Sequence, residues 1–268
     1  MGEAIVFTSG KGGVGKTTAI ANIGTGLSLL DKKVVMLDTD MGLRNLDVVM
    51  GLEDCITYNL MDVLTRKCRL RQALIRDRRY PNLYIIPASL SCDGIRKSRD
   101  AFVALIAELK RQFDYCLIDC PAGIDDGFSF AVAAADRAII VTTPHISAVR
   151  DAGRVIYLLQ ENRFLQMDLL VNEVNRRLIR KHNMLSVADV EEVLGLKCIG
   201  TVPMDDKVIV SQNRGVPVIA YKCSASKCFR ILARKIDAAR YIPVDLAQED
   251  HAESNLISDG RKLNYEIP

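Results

Sequence analysis

Short apolar runs alternate along the chain with longer stretches in which apolar residues return every three or four positions. Ala4-Ile5-Val6-Phe7-Thr8 is short, β-branched and closed by Ser9-Gly10, so it predicts a buried strand. Ile20, Ile23, Leu27 and Leu30 then mark one face of a helix, and Val34-Val35-Met36-Leu37 is a second buried run. Strand, helix and strand in that order form a βαβ unit with parallel strands. Further strands are predicted at Leu83-Tyr84-Ile85-Ile86, Tyr115-Cys116-Leu117-Ile118, Ala138-Ile139-Ile140-Val141-Thr142, Leu169-Leu170-Val171 and Cys198-Ile199-Gly200-Thr201-Val202. Helices are predicted on the face Phe102, Leu105, Ile106, Leu109 and Phe113, over Val149 to Glu161, and at a last helix carrying Phe229, Leu232 and Ile236. The fold class expected is α/β: a single doubly wound, mostly parallel sheet of about seven or eight strands with helices on both faces. No repeat and no Pro/Gly/Ser-rich linker divides the chain, so one domain is expected over residues 1–243. Residues 244–268 form a polar tail without apolar periodicity, expected to fray.

Charge changes this picture little. The 36 Lys+Arg against 33 Asp+Glu exclude a histone-like or polyacidic protein but leave local basic clusters open. The first ten residues hold no basic start followed by a long apolar core, and no apolar run approaches a membrane span. A reducing, cytosolic setting is therefore expected, with the eight cysteines as thiols. Cys116 with Cys120, and Cys223 with Cys228, lack the spacing of a zinc knuckle, and only His145, His182 and His251 are available to help them.

The sharpest chemical signal is Gly10-Lys11-Gly12-Gly13-Val14-Gly15-Lys16-Thr17-Thr18, which satisfies the phosphate-loop pattern between a predicted strand and a predicted helix. Its glycines let backbone N–H groups turn toward phosphate oxygens, and the helix that follows aims its positive end at the same anion. Lys16 is placed for the β- and γ-phosphates, and the Thr17 hydroxyl for Mg²⁺. Lys11 exceeds the minimal motif; it is either a solvated loop lysine or a cation for transition-state charge.

Aspartates close two of the predicted strands. Asp38 and Asp40 follow the second, at the edge where parallel sheets place ligand chemistry. Asp40 is the candidate to orient or deprotonate an attacking water, and Asp38 sits nearer the metal's hydration shell. Asp119 ends Leu117-Ile118 and suits Mg²⁺ held through water, while Gly123 beyond it offers an N–H toward the γ-phosphate. Strand-end capping is the competing reading for each aspartate. Asn172 ends a third strand with an amide able to read an adenine edge; Pro203 and Asp205 end a fourth near the same mouth.

A phosphate loop with a second lysine, in the form KGGVGKTT, resembles the deviant Walker A (MinD/ParA) family of ATPases, which also holds the nitrogenase iron protein. The resemblance implies that Lys11 reaches across a homodimer interface to the partner's nucleotide, so that ATP with Mg²⁺ both joins the dimer and completes its active sites. It also implies purine contacts at Asn172, Pro203 and Asp205. Within the family, residues 38–47, Asn82 to Ser89, Pro121 to Ile124 and Ser147 to Asp151 are similar to the MinD branch, which positions the bacterial division septum; the similarity covers roughly residues 3–220. That branch implies an ATP-bound dimer engaging the inner face of the cell membrane and a MinC-like inhibitor, with a MinE-like activator stimulating hydrolysis. It implies a nucleotide-sensing switch at residues 40–47 and a partner surface on the helix beginning near Val149.

One departure bears on the membrane. The branch usually ends in a basic amphipathic helix, whereas residues 244–268 hold Asp245, Glu249, Asp250, Glu253, Asp259 and Glu266 against only Arg261 and Lys262. The stretch Ala225–Tyr241 carries Lys227, Arg230, Arg234, Lys235 and Arg240, but Phe229, Leu232 and Ile236 suit a packed face. Basic clusters at 66–79 and 176–181 read as solvated faces or as nucleic-acid surfaces, which keeps a ParA-like DNA-partitioning ATPase open as an alternative. Against it, Gly42-Leu43-Arg44-Asn45 stands where ParA-type chains tend to have Pro-Gln. A flagellar-placement relative would commonly carry an extra N-terminal segment, and this chain begins at its first strand. An iron–sulfur reductase would claim Cys92 as a ligand but finds no second cysteine at that family's distance after Asp119.

Overall fold

The computed structural model describes residues 1–91, 98–162, 164 and 166–239. Cys92, Arg240 and the tail 244–268 lie outside the described residues. In chain order the elements are β1 (Glu3–Thr8), α1 (Lys16–Ser28), β2 (Val34–Asp38), α2 (Leu46–Met50), α3 (Leu60–Leu64), α4 (Leu70–Ala73), β3 (Ile75–Arg76) and β4 (Leu83–Ile86). There follow α5 (Arg99–Gln112), β5 (Tyr115–Asp119), α6 (Asp126–Val132), β6 (Arg137–Thr142), α7 (Ile146–Glu161) and β7 (Met167–Val174). The last are α8 (Arg176–Arg180), α9 (Val187–Leu194), β8 (Cys198–Pro203), α10 (Asp206–Gln212) and α11 (Ser224–Ala239). Among the described residues no helix is long and apolar enough to cross a membrane.

The eight strands form one sheet in the order β3-β4-β2-β5-β1-β6-β7-β8. All neighbours are parallel except β3, a two-residue antiparallel edge against β4. Every strand expected from an apolar run is present, and β3 is the addition.

Alternation along the strands divides the interior into two cores. Val35, Leu37, Cys116 and Ile118 face one, with Phe102, Leu105 and Leu109 of α5 and Val155 and Leu159 of α7. Ile5, Phe7, Met36 and Leu117 face the other, with Ile20, Ile23 and Leu27 of α1 and Phe229, Leu232 and Ile236 of α11. Burial on both faces is why these strands read as unbroken apolar runs rather than alternating ones. The basic helix α11 is thus packed through its apolar side. It approaches α1 where Gly26 would place a Cβ 2.8 Å from the Ala233 Cβ, and β8 where Gly200 would place one 2.7 Å from Leu232 Cδ2. Its far end is tied to the base of the sheet by Tyr115 Oη donating to Asp237 at 2.9 Å.

Leu232 is 1% exposed and fills the space left by Gly200. Leu232→Ala should cost about 2–4 kcal/mol in urea unfolding, as for a buried leucine with little room to collapse. A cost under about 0.5 kcal/mol would mean that α11 is not part of the cooperative unit.

Candidate functional site

Because β2, β5 and β1 are neighbours, their carboxyl ends bring Asp38, Asp119 and the loop 9–15 together. Asp38 stands opposite Asp119, and Asp119 opposite Phe7, in the strand registers. Thr39 locks the first pair, its backbone N–H and Oγ1 both donating to the Asp119 carbonyl at 3.0 and 2.6 Å. The loop turns into α1 at Gly15, whose φ of +87° is left-handed. A Cβ there would also lie 2.1 Å from Asn172 Nδ2, so both the turn and the space demand glycine. No side chain caps α1 and no acid stands in its first turn. Its leading N–H groups and positive dipole end are left for an anion.

Beneath this loop lies a concentration of charge. Asp38 and Asp119 are 0% and 1% exposed, and Lys16, 8% exposed, holds its Nζ 3.8 Å from Asp119 Oδ1. The Asp38 carboxylate accepts backbone N–H groups of Asp40 (2.9 Å), Asn45 (3.1 Å) and Leu46 (3.1 Å), so it organises the segment that follows it. Among the described residues neither Asp119 carboxylate oxygen has a hydrogen-bond partner. Burial pushes Asp38 up to about 7, the Asp119 charge adding to it and the three N–H groups opposing it. Burial likewise pushes Asp119 up to about 6 against Lys16 and the nearby Thr17 hydroxyl. Asp40, half-buried, is also raised by burial, with Lys16 opposing. Among the described residues the Lys16 ammonium thus opposes burial at Asp119 and Asp40 but not at Asp38, and the site is short of positive charge.

A cavity of about 610 Å³ opens beside the loop. Gly12, Gly13, Gly15, Lys16, Thr17 and Thr18 form one wall, Asp40 stands beside them, and Asn172, Pro203 and Asp205 close the far end. Gly10, Lys11, Val14, Asp38, Asp119 and Gly123 do not line it. Asp38 and Asp119 lie under its floor, whereas Lys11 is exposed on the rim, its Nζ 3.5 Å from Ser147 Oγ at the start of α7.

Three expectations need revision in detail. The Gly123 N–H is not free, because the loop folds back and donates it to the Ser9 carbonyl at 3.1 Å. Asn172 spends an amide hydrogen on the Val14 carbonyl at 2.9 Å, shaping the phosphate loop from behind and leaving its Oδ1 as an acceptor. Asp205 caps two helices at once, accepting from Lys207 N (3.0 Å) in α10 and from Ala225 N (3.1 Å) in α11. Burial alone would raise the Asp205 carboxyl, but the N–H groups of Ala225, Lys207 and Ser224, with the Cys223 thiol, hold it below its usual range. Gln212 and Asn213, which the sequence did not single out, also line the cavity, and Phe229, expected on the packed face of the last helix, reaches it too. Gln212 Nε2 donates to Thr18 Oγ1 at 2.6 Å across 194 residues, a pairing for which the sequence carries no local signal.

A family model for the AAA domain matches residues 2–169. The chain is 45% identical over 254 residues to the septum site-determining protein MinD of Bacillus subtilis (strain 168), covering 94% of each. The chain belongs to the MinD family. Among solved structures it is similar to the MinC:MinD cell division protein complex of Aquifex aeolicus, with a TM-score of 0.82 and 41% identity over 90% of this chain and 98% of that one. It is also similar to septum site-determining MinD complexed with Mg-ADP from Pyrococcus horikoshii OT3, with a TM-score of 0.80 and 28% identity over 90% and 98%. Membership in the MinD family places the chain among the P-loop ATPases that govern division-site selection.

The raised carboxyls have a measurable consequence. A carboxyl lifted from 3.8 to about 6 or 7 by folding contributes stability that is present below about pH 4 and lost as pH rises through that raised value. In nucleotide-free protein, Asp119→Asn should therefore show a shallower fall in Tm between about pH 4 and about pH 6.5 than the parent chain. Parallel Tm curves would mean that Asp119 ionises in the ordinary carboxylate range.

Proposed function

We propose that the cavity binds ATP with Mg²⁺, that two copies of the chain close over a pair of triphosphates, and that hydrolysis of the terminal anhydride lets them separate. The observation that carries this reading is the buried, hydrogen-bond-free Asp119 carboxylate beside Lys16, under an uncapped helix start and a phosphate-loop motif. Orphaned carboxylate oxygens in a site short of positive charge fit a divalent cation. Thr17 would ligate it, and Asp119 and Asp38 would hold its waters; when bound, Mg²⁺ supplies charge to the β- and γ-phosphate oxygens. Lys16 and the α1 N-terminus bind the phosphates, Asp40 orients the attacking water, and Asn172 with Pro203 meets the purine. Asp205 lines the base end and shapes it by capping α10 and α11. Gly123 reaches a γ-phosphate once it releases Ser9. Lys11, exposed outside its own cavity, serves the partner's.

Residues 1–243 act as the ATPase domain and residues 244–268 as a separate tail. The similarity to a MinC:MinD complex supports a MinC-like inhibitor as partner. A MinE-like activator and peripheral attachment to the inner membrane face complete the cycle. Residues 244–268, acidic on balance, are not the attaching surface in this reading.

Lys16→Ala should weaken ATP binding about a hundredfold or more in calorimetric titration, because a charge-assisted phosphate contact is lost; unchanged affinity would remove the phosphate-loop assignment. Asp40→Ala should still bind ATP while turnover falls on the order of 10²–10⁴-fold. Wild-type turnover in that variant would free Asp40 of its role. The specific ATPase activity of the parent chain should rise with protein concentration, and Lys11→Ala should abolish the ATP-dependent dimer in sedimentation velocity. A persistent dimer would contradict a cross-subunit lysine.

A further inference from the structure

Arg79 sits far from the phosphate loop in sequence, in the basic run 66–79 that was open to a solvated reading. Its guanidinium grips the fully buried Asp77 with two bonds, Nε to Oδ1 at 3.0 Å and Nη2 to Oδ2 at 2.7 Å. It then donates Nη1 to the Gly215 carbonyl at 2.8 Å and Nη2 to the Met50 carbonyl. Those two carbonyls end the two segments that flank the cavity. Met50 closes α2, the end of the stretch that begins at Asp40 and is pinned to Asp38 through Asn45 and Leu46. Gly215 lies just beyond α10, which begins at the double cap Asp205 and ends at Gln212 on Thr18.

The backbones also touch directly here. Gly51 and Gly215 both have positive φ, +61° and +59°. A Cβ on Gly51 would lie 2.6 Å from the Gly215 carbonyl oxygen, and a Cβ on Gly215 would lie 2.6 Å from Gly51 Cα. One planar cation with donors fixed in a fork therefore clamps two walls that come from opposite halves of the chain.

We propose that Arg79 is a positioning residue coupling the base end of the cavity to the segment that carries Asp40. The coupling rests on the nucleotide reading of the cavity. A nucleotide seated against residues 203–213 orders the turn at Gly215. Arg79 transmits that order to Met50 and so to the N–H groups of Asn45 and Leu46 on Asp38. A contact network becomes a coupling only if both ends respond together. Amide hydrogen exchange reads both ends in one experiment.

With ADP as the probe, which lacks a γ-phosphate, exchange in the parent chain should slow about tenfold or more in both 40–51 and 206–217. In Arg79→Lys, which keeps a cation for Asp77 but cannot fork to both carbonyls, the slowing in 206–217 should persist. That in 40–51 should shrink below about twofold. A paired D77N/R79Q variant, removing the buried charge together with its partner, should behave the same way and stands in where Arg79→Lys fails to fold. ADP-dependent slowing of both segments in the variants, equal to the parent's, overturns the coupling and leaves the nucleotide reading intact. Absence of ADP-dependent slowing anywhere in the parent overturns the nucleotide reading and the coupling with it.

Discussion

Everything at this site follows from two carboxylates held side by side at the ends of adjacent strands with almost no access to water. Asp38 and Asp119 face one another in register, and one buried lysine stands within reach of Asp119. Like charges buried together raise each other's proton affinity, and burial raises it further. The fold answers Asp38 with three backbone N–H groups and, among the described residues, gives the Asp119 carboxylate the Lys16 ammonium at 3.8 Å but no hydrogen bond. An unanswered buried acceptor costs stability unless it serves a ligand. The nucleotide-free chain thus stores an electrostatic demand that a cation and an anion bound together would satisfy.

The sheet order makes this possible. β5 inserts between β1 and β2, so a carboxylate 81 residues away in sequence lands beside Asp38 and opposite the start of the phosphate loop. Between their ends these strands are apolar and buried on both faces; β1 opens on Glu3 at the amino edge, and Asp38 and Asp119 close β2 and β5 at the carboxyl edge. That confinement is what lets a charged site exist against a dry interior: the charges sit where the sheet stops, and helix dipoles and open backbone groups replace the water they lose.

The same confinement explains what could be read from the chain in advance. Seven strands are visible as apolar runs because both faces of the sheet are covered, and the phosphate loop is visible because all its parts are contiguous. β3 is invisible: two residues, Ile75 and Arg76, at an antiparallel edge leave no periodicity. Short helices such as α2 and α8, five residues each, are equally silent. At the site, Lys16 was legible from the loop motif, and Asp38 and Asp119 because strand ends predict position. Asp205 was legible as a mouth residue but not as a double cap, since α11 begins 19 residues later. Gln212 was not legible, because its partner lies 194 residues away, and Arg79 was legible only as one cation of the basic run 66–79, because its bond to Gly215 spans 136 residues and neither carries a motif. Side chains that join distant segments leave no trace in local pattern.

The two lysines of the loop show how burial separates the roles of identical side chains. They are five residues apart and chemically identical. Lys16 is enclosed with Asp119, where a charge acts strongly because little water screens it. Lys11 stands in water beside Ser147, where its field on its own cavity is weak. A cation in that position gains force only when another surface covers it and drives the water out. On the proposed function, that surface is a second copy with its own triphosphate. Dimerisation then does not merely bring two finished sites together: it lowers the dielectric around Lys11 and so strengthens the field of a charge that each site lacks alone.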